Sequence, residues 1–204
     1  MMLPTHALGG MLLAVPLSAL APEAAVGVVL AGAVGGAVPD LDMYAGHRRT
    51  LHYPVYYTLA AVLAVGAALL VPGALVVGVA AVLAGAAAHS VTDAFGGGLE
   101  LRPWEGTADR AVYDHHRERW IAPRRWVRYD GAPEDLLLAG VLAAPLVLVA
   151  EGPTAWLVGG LLAVAAVYTA VRRRLPTVAD AVIARLPERT RRHLPPRYTA
   201  GSER

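Results

Sequence analysis

The chain has 204 residues, of which 56% are hydrophobic, a mean hydropathy of +0.47 and a net charge of +2 at pH 7. That composition excludes an ordinary soluble domain and a disordered chain, and it is the composition of a polytopic membrane protein. With no cysteine, neither a disulfide framework nor a thiolate metal site is available, so any metal must be held by His and carboxylates.

In chain order, the opening Met-Met-Leu-Pro-Thr-His lacks a positive n-region, and no removable signal peptide is expected. Six apolar segments follow, at about 7–21, 24–38, 54–71, 74–92, 133–150 and 154–171, with ionisable residues confined to their ends. They predict an all-α, polytopic bundle of about six transmembrane helices, although each segment is at or below the ~20 residues usually needed to span hydrocarbon. Pro16 interrupts the first. Gly32 and Gly36 stand at the small-xxx-small spacing that lets helix backbones approach closely in lipid.

The turns at 21–23, 72–73 and 151–153 are short and carry no Arg. All 18 basic residues are Arg, and they lie at 48–49, in the 102–128 loop and from Arg172 onward. By the positive-inside rule those three places, and both termini, are cytoplasmic and the protein sits in the inner membrane. The resulting organisation is a four-helix core over 1–103, a polar interfacial loop over 104–132, two further membrane helices over 133–171 and a basic tail over 172–204.

This parity brings one chemistry together. His6, Asp40, Asp42, His47, His52, His89 and Asp93 all fall at the cytoplasmic ends of the first four segments, as a metal site would require. After Pro39, an extended stretch is expected to point Asp40 and Asp42 to one side. His89 and Asp93, at i and i+4, offer two ligands from one helical face. Mixed imidazole and carboxylate ligation suits Zn, Mn, Fe or Ni, and seven candidates leave room for one or two ions. Asp40 and Asp42 are candidate bases, and Arg48 is a candidate partner for a phosphate oxygen.

The 102–128 loop holds Trp104, Trp120 and Trp126 among seven Arg, a composition suited to the lipid headgroup boundary; membrane lipids are the expected partners and nucleic acid is not. Asp114, His115 and His116 in this loop are expected on a solvated helix face. Val178, Val182, Ile183 and Leu186 predict an amphipathic surface helix ahead of a disordered end, with His193 incidental.

His6, Pro39-Asp40-Leu41-Asp42, His47-Arg48-Arg49-Thr50-Leu51-His52, and His89-Ser90-Val91-Thr92-Asp93 followed by Gly96 to Gly98 and Pro103 resemble, in order and spacing, the YdjM-like family of membrane-bound, metal-dependent hydrolases. The resemblance covers roughly residues 5 to 103. Through the family's relation to the all-helical zinc phospholipases C and related nucleases, it implies phosphoester hydrolysis, a phospholipid being among the candidate substrates. The chain departs from the family pattern at Met43, where a third ligand-like His is frequent, at Arg49, where Gly is common, and at Tyr53, where Ser is frequent. The residues by themselves also admit a non-enzymatic structural metal or polar clip at the helix ends. A metal or proton transporter is disfavoured, because no ionisable residue stands at the middle of a segment.

Overall fold

The computed structural model describes residues 1–194. It is mostly helical: α1 (Leu3–Ser18), α2 (Ala25–Ala37), α3 (Pro54–Leu70), α4 (Ala74–Thr92), α5 (Pro133–Val149), α6 (Pro153–Val171), α7 (Leu175–Arg185) and the single turn α8 (Glu188–Arg191). The first six coincide with the six apolar segments. Proline sits in the first turn of α1, α3, α5 and α6, where its missing N–H has no intrahelical partner to lose.

Three stretches, Pro22–Met43, Ala74–Phe95 and Pro153–Val171, are long and apolar enough to cross a membrane; α1 and α3 are apolar but shorter. Large apolar side chains face outward, among them Leu70 at 84%, Leu75 at 80%, Leu148 at 85% and Trp156 at 84% exposure. Side chains of that size and number are stable outward in lipid and costly in water.

The inside is built on small residues. A Cβ added at Gly10 would land on the Gly32 carbonyl, at Gly36 on the His6 carbonyl, and at Gly35 on the Val82 carbonyl. Backbones of α1, α2 and α4 therefore touch directly, which only glycine permits. Around that contact, Ala14, Val28, Val77, Ala80 and Ala81 form one apolar cluster, and Leu8, Met11, Leu146 and Val158 tie α5 and α6 to α1 in another. Asp135, in the first turn of α5, is fully buried and accepts hydrogen bonds from Thr5 Oγ1 (2.7 Å), the Met2 amide (2.8 Å) and the Gly131 amide (3.0 Å). It locks the start of α1 to α5.

Two local expectations are corrected. The chain after α2 is not extended: Val38–Tyr44 is a 3-10 helix with Pro39 in its first turn. The 110s are not a helix either, since Val112–Asp114 (β1) and Arg119–Ile121 (β2) pair as an antiparallel hairpin. Val, Tyr, Trp and Ile favour strands, and Asp114 turns inward to accept from the amides of His116 (3.0 Å) and Arg117 (3.2 Å), closing the turn. Asp114 is thus buried, His115 half-buried and His116 exposed. The hairpin is tied to the loop before α3, where the Tyr113 amide donates to the Arg48 carbonyl (2.9 Å) and His115 Nε2 donates to the Arg49 carbonyl (2.6 Å). The expected amphipathic helix is α7, with Ile183 buried. The end beyond it, expected to be disordered from Pro187 on, instead begins with the helical turn α8 (Glu188–Arg191), and its remainder at 195–204 lies outside the described residues.

Candidate metal centre

The site is assembled where α2, α4 and the loop before α3 meet. Asp40 Oδ1, His52 Nε2, His89 Nε2 and Asp93 Oδ2 lie within 4.8 Å of one another. The two imidazole nitrogens are 3.2 Å apart. His52 Nε2 is 3.2 Å from Asp93 Oδ2 and 3.8 Å from Asp40 Oδ1, and His89 Nε2 is 3.5 and 3.4 Å from the same two oxygens.

What these four atoms can do follows from what holds the rings. His89 Nδ1 is 2.6 Å from the Gly36 carbonyl oxygen, which can only accept, so Nδ1 carries the proton. Pro39 has no N–H to return to that carbonyl three residues back, as a 3-10 helix would otherwise do, and His89 takes the bond instead. His52 Nδ1 likewise donates to Asp42 Oδ2 (2.9 Å). In the neutral rings both Nε2 atoms are then lone-pair acceptors, facing each other and two carboxylate oxygens. Asp93 Oδ2 is buried and has no hydrogen-bond partner among the described residues. Four acceptors repel unless a cation lies among them.

The edge lengths indicate which cation fits. Tetrahedral ligands at the usual Zn–N and Zn–O distances stand about 3.3 Å apart, close to the five separations of 3.2 to 3.8 Å that involve an imidazole nitrogen, while the Asp40–Asp93 edge lies within 4.8 Å. A proton is the other candidate cation. Burial works to lower the His52 pKa, but the bonds to Asp42 and then Asp93 carry it above its ordinary value.

The remaining sequence candidates surround this quartet. Asp42 diverges from Asp40, because a 3-10 helix advances about 120° per residue and two residues take it to another face. Its carboxylate is buried and accepts from His47 Nδ1 (3.0 Å), the Arg48 amide (3.3 Å), the Leu51 amide (3.0 Å) and His52 Nδ1. It folds the loop and orients one ligand, as an outer carboxylate does in many metal sites. His6 stacks on His89 with ring centroids 3.7 Å apart, and its Nε2 is 3.2 Å from Asp93 Oδ1. The Met1 nitrogen is also 3.2 Å from that oxygen.

Arg48 is buried with left-handed backbone (φ 60°). Its Nη1 donates to the carbonyls of Gly97 (2.7 Å) and Ala111 (3.4 Å), and its Nε is 3.4 Å from Asp93 Oδ2. Nε is buried and has no hydrogen-bond partner among the described residues.

His52, His89 and Asp93 are sealed at 0–1% exposure. Asp40 and Arg48 line a cleft of about 490 Å³, which Asp130, Tyr168 and Arg172 also line. Arg172 donates to Asp130 through Nε (2.8 Å) and Nη2 (3.1 Å), and the Tyr168 hydroxyl also bonds Asp130.

Sequence reasoning missed Gly36 as the holder of His89, although a glycine three residues before Pro39 was visible. It also missed Asp130, Tyr168 and Arg172, for which the i,i+4 spacing of the last two was the available signal. No family model, curated protein or solved structure matches the chain.

Proposed function

We propose that the chain is a membrane-bound, metal-dependent phosphoester hydrolase and a member of the YdjM-like family that its motifs resemble. In this reading six helices cross the inner membrane, with both termini and the site on the cytoplasmic side. The outward apolar side chains and the Arg distribution support that placement.

One observation carries the reading: four acceptor atoms converge at metal-ligand spacing, and one of them, from Asp40, lies on the wall of an open cleft. Zinc suits the donor set and its edge lengths, and this quartet holds one ion. Four protein ligands fill a tetrahedral shell, so a divalent ion there would act as a Lewis acid toward a phosphoryl oxygen or acidify a water only by expanding its coordination beyond four. The chain supplies the rest. Arg48, on the cleft wall, offers its guanidinium to a phosphate oxygen while Gly97 and Ala111 hold Nη1 in place. Asp40, the one quartet member with access to the cleft, is the carboxylate within reach of substrate. Asp42 keeps His52 turned toward the quartet.

The near-complete burial of His52, His89 and Asp93 favours a second reading, in which the ion is a clip that ties the helix ends together. Two measurements separate the readings. Elemental analysis of purified protein is expected to find one transition-metal ion per chain, and a metal-free, fully folded preparation would end both. A phosphoester screen comparing wild type with Asp40→Asn then distinguishes them: a catalyst loses turnover, whereas a clip has none to lose and gives up stability only.

A further inference from the structure

Asp42 holds two imidazoles, and the quartet accounts for only one of them. Its Oδ2 is 2.9 Å from His52 Nδ1 and its Oδ1 is 3.0 Å from His47 Nδ1. An ionised carboxylate only accepts, so both Nδ1 atoms carry the proton, and in the neutral rings both Nε2 atoms carry a lone pair. The two rings stand perpendicular, at 89° with centroids 5.6 Å apart. His52 is sealed, and its Nε2 belongs to the quartet. His47 stays outside the quartet. Its side chain is 20% exposed and lines the cleft together with Asp40 and Arg48. The edge of the ring that Asp42 does not hold is the one that carries Nε2.

A carboxylate behind Nδ1 fixes the tautomer in which Nε2 takes up a proton, and it stabilises the imidazolium once formed. Asp42 suits both tasks, being 1% exposed and itself fixed by the amides of Arg48 (3.3 Å) and Leu51 (3.0 Å). His47 and Arg48 follow each other in a turn where Gly46 and Arg48 have φ of 91° and 60°, and both side chains reach the same cleft. The cleft's other carboxylates are engaged: Asp40 by the quartet, Asp130 by Arg172 and Tyr168, and Glu100 through Oε1 by the Ala108 amide (3.2 Å). Four protein ligands fill a tetrahedral shell and reserve no position for water, so a water in the cleft needs a base that the quartet does not supply.

We propose that His47 is the general base of the hydrolysis and that Asp42 is its positioning residue. His47 Nε2 accepts a proton from a cleft water as the water oxygen bonds to phosphorus. The bond from phosphorus to the leaving oxygen breaks, and its electron pair departs with that oxygen, which takes a proton from solvent while the imidazolium returns its own. This inference rests on the hydrolase reading for its substrate, and on the pairing of Asp42 with His47 for its base.

The test uses full-length, zinc-loaded protein in detergent, with bis(p-nitrophenyl) phosphate as the probe and zinc content measured on the same samples. His47→Ala is expected to lower kcat/KM at least ~100-fold, the lower end of what a general base contributes, and to keep its zinc. Added imidazole, which can occupy the space left on the cleft wall, should raise the rate of this variant at least tenfold, and more basic imidazoles should raise it further. Glu100→Gln, which alters the cleft's other unligated carboxyl beside Asp130, and His116→Ala, exposed on the hairpin turn, should stay within threefold of wild type. Nitrogen NMR of histidine-labelled wild type, with His47→Gln for assignment, gives a readout without turnover: the neutral His47 ring is expected as the Nδ1–H tautomer. A smaller loss in His47→Ala, a loss that imidazole does not rescue, or an Nε2–H tautomer overturns the base assignment and leaves the hydrolase reading standing. Zinc lost from His47→Ala makes His47 a support of the ion and overturns it as well. Zinc-loaded wild type that leaves the probe intact overturns both readings.

Discussion

Asp42→Asn separates a residue that holds a ligand from one that is a ligand. Asn has the shape of Asp, so packing is unchanged, but one oxygen becomes an NH2 that cannot accept. Oδ1 serves His47 Nδ1 and the Arg48 amide, and Oδ2 serves the Leu51 amide and His52 Nδ1, so either orientation of the new amide leaves two donors facing a donor. Bonds to a charged acceptor contribute about 1.5 kcal/mol each or more, giving an expected loss of about 3 kcal/mol of stability. The larger consequence is at the quartet. Without a carboxylate behind it, His52 is no longer held with Nε2 toward the other three ligands, and outer-shell losses of this kind typically lower metal affinity ~10–100-fold. The assay is zinc affinity by chelator competition, alongside His89→Ala, which removes a quartet member and should cost more. Unchanged zinc affinity in Asp42→Asn, or a loss equal to that of His89→Ala, would refute the division between quartet and support.

Three further outcomes follow from the same geometry. Gly10→Val drives a side chain into the Gly32 backbone, and overpacking of that kind costs about 1–3 kcal/mol; the melting temperature in detergent should fall by several degrees, and an unchanged value would contradict direct contact between α1 and α2. Asp135→Ala leaves Thr5 Oγ1 and the amides of Met2 and Gly131 without their acceptor, for about 3 kcal/mol of lost stability. Zinc affinity per folded molecule should change far less than in His89→Ala, and an equal loss would tie Asp135 to the ion. The third concerns pH. In metal-free protein the His52 pKa is raised, so its contribution to stability is present below the unfolded value of about 6.5 and is lost as pH rises through the higher folded value. Metal-free protein should therefore melt at lower temperature at pH 9 than at pH 6. Zinc competes with that proton, so its affinity should rise over the same interval; zinc affinity that falls with pH would argue against imidazole ligation.

The division between sequence and tertiary structure runs through particular residues. The positions of α1 to α6 were legible because apolar runs, short turns and prolines in first turns are local signals, each read within one segment. The cast of the site was legible for a related reason: in so apolar a chain, His6, Asp40, Asp42, His47, His52, His89 and Asp93 had to lie at segment ends, and segment parity put those ends together. The hairpin at 112–121 was not legible, because Asp114 chooses between solvent and its own turn only once the loop before α3 is there to pair with it.

Which candidates meet was decided in three dimensions. Asp40 and Asp42 part company because the chain after Pro39 coils at three residues per turn instead of extending, and no pattern in the motif distinguishes those two backbones. His89 is aimed by a carbonyl of another helix, at Gly36, which it reaches because Gly10, Gly32, Gly35 and Gly36 let three backbones touch. The cleft along α6 joins residues more than 120 positions apart. Residue type and spacing determined which groups could bind a metal at this face of the protein; only the close approach of distant backbones decided which four come together, because ligand geometry depends on tenths of an ångström between elements that the sequence holds far apart.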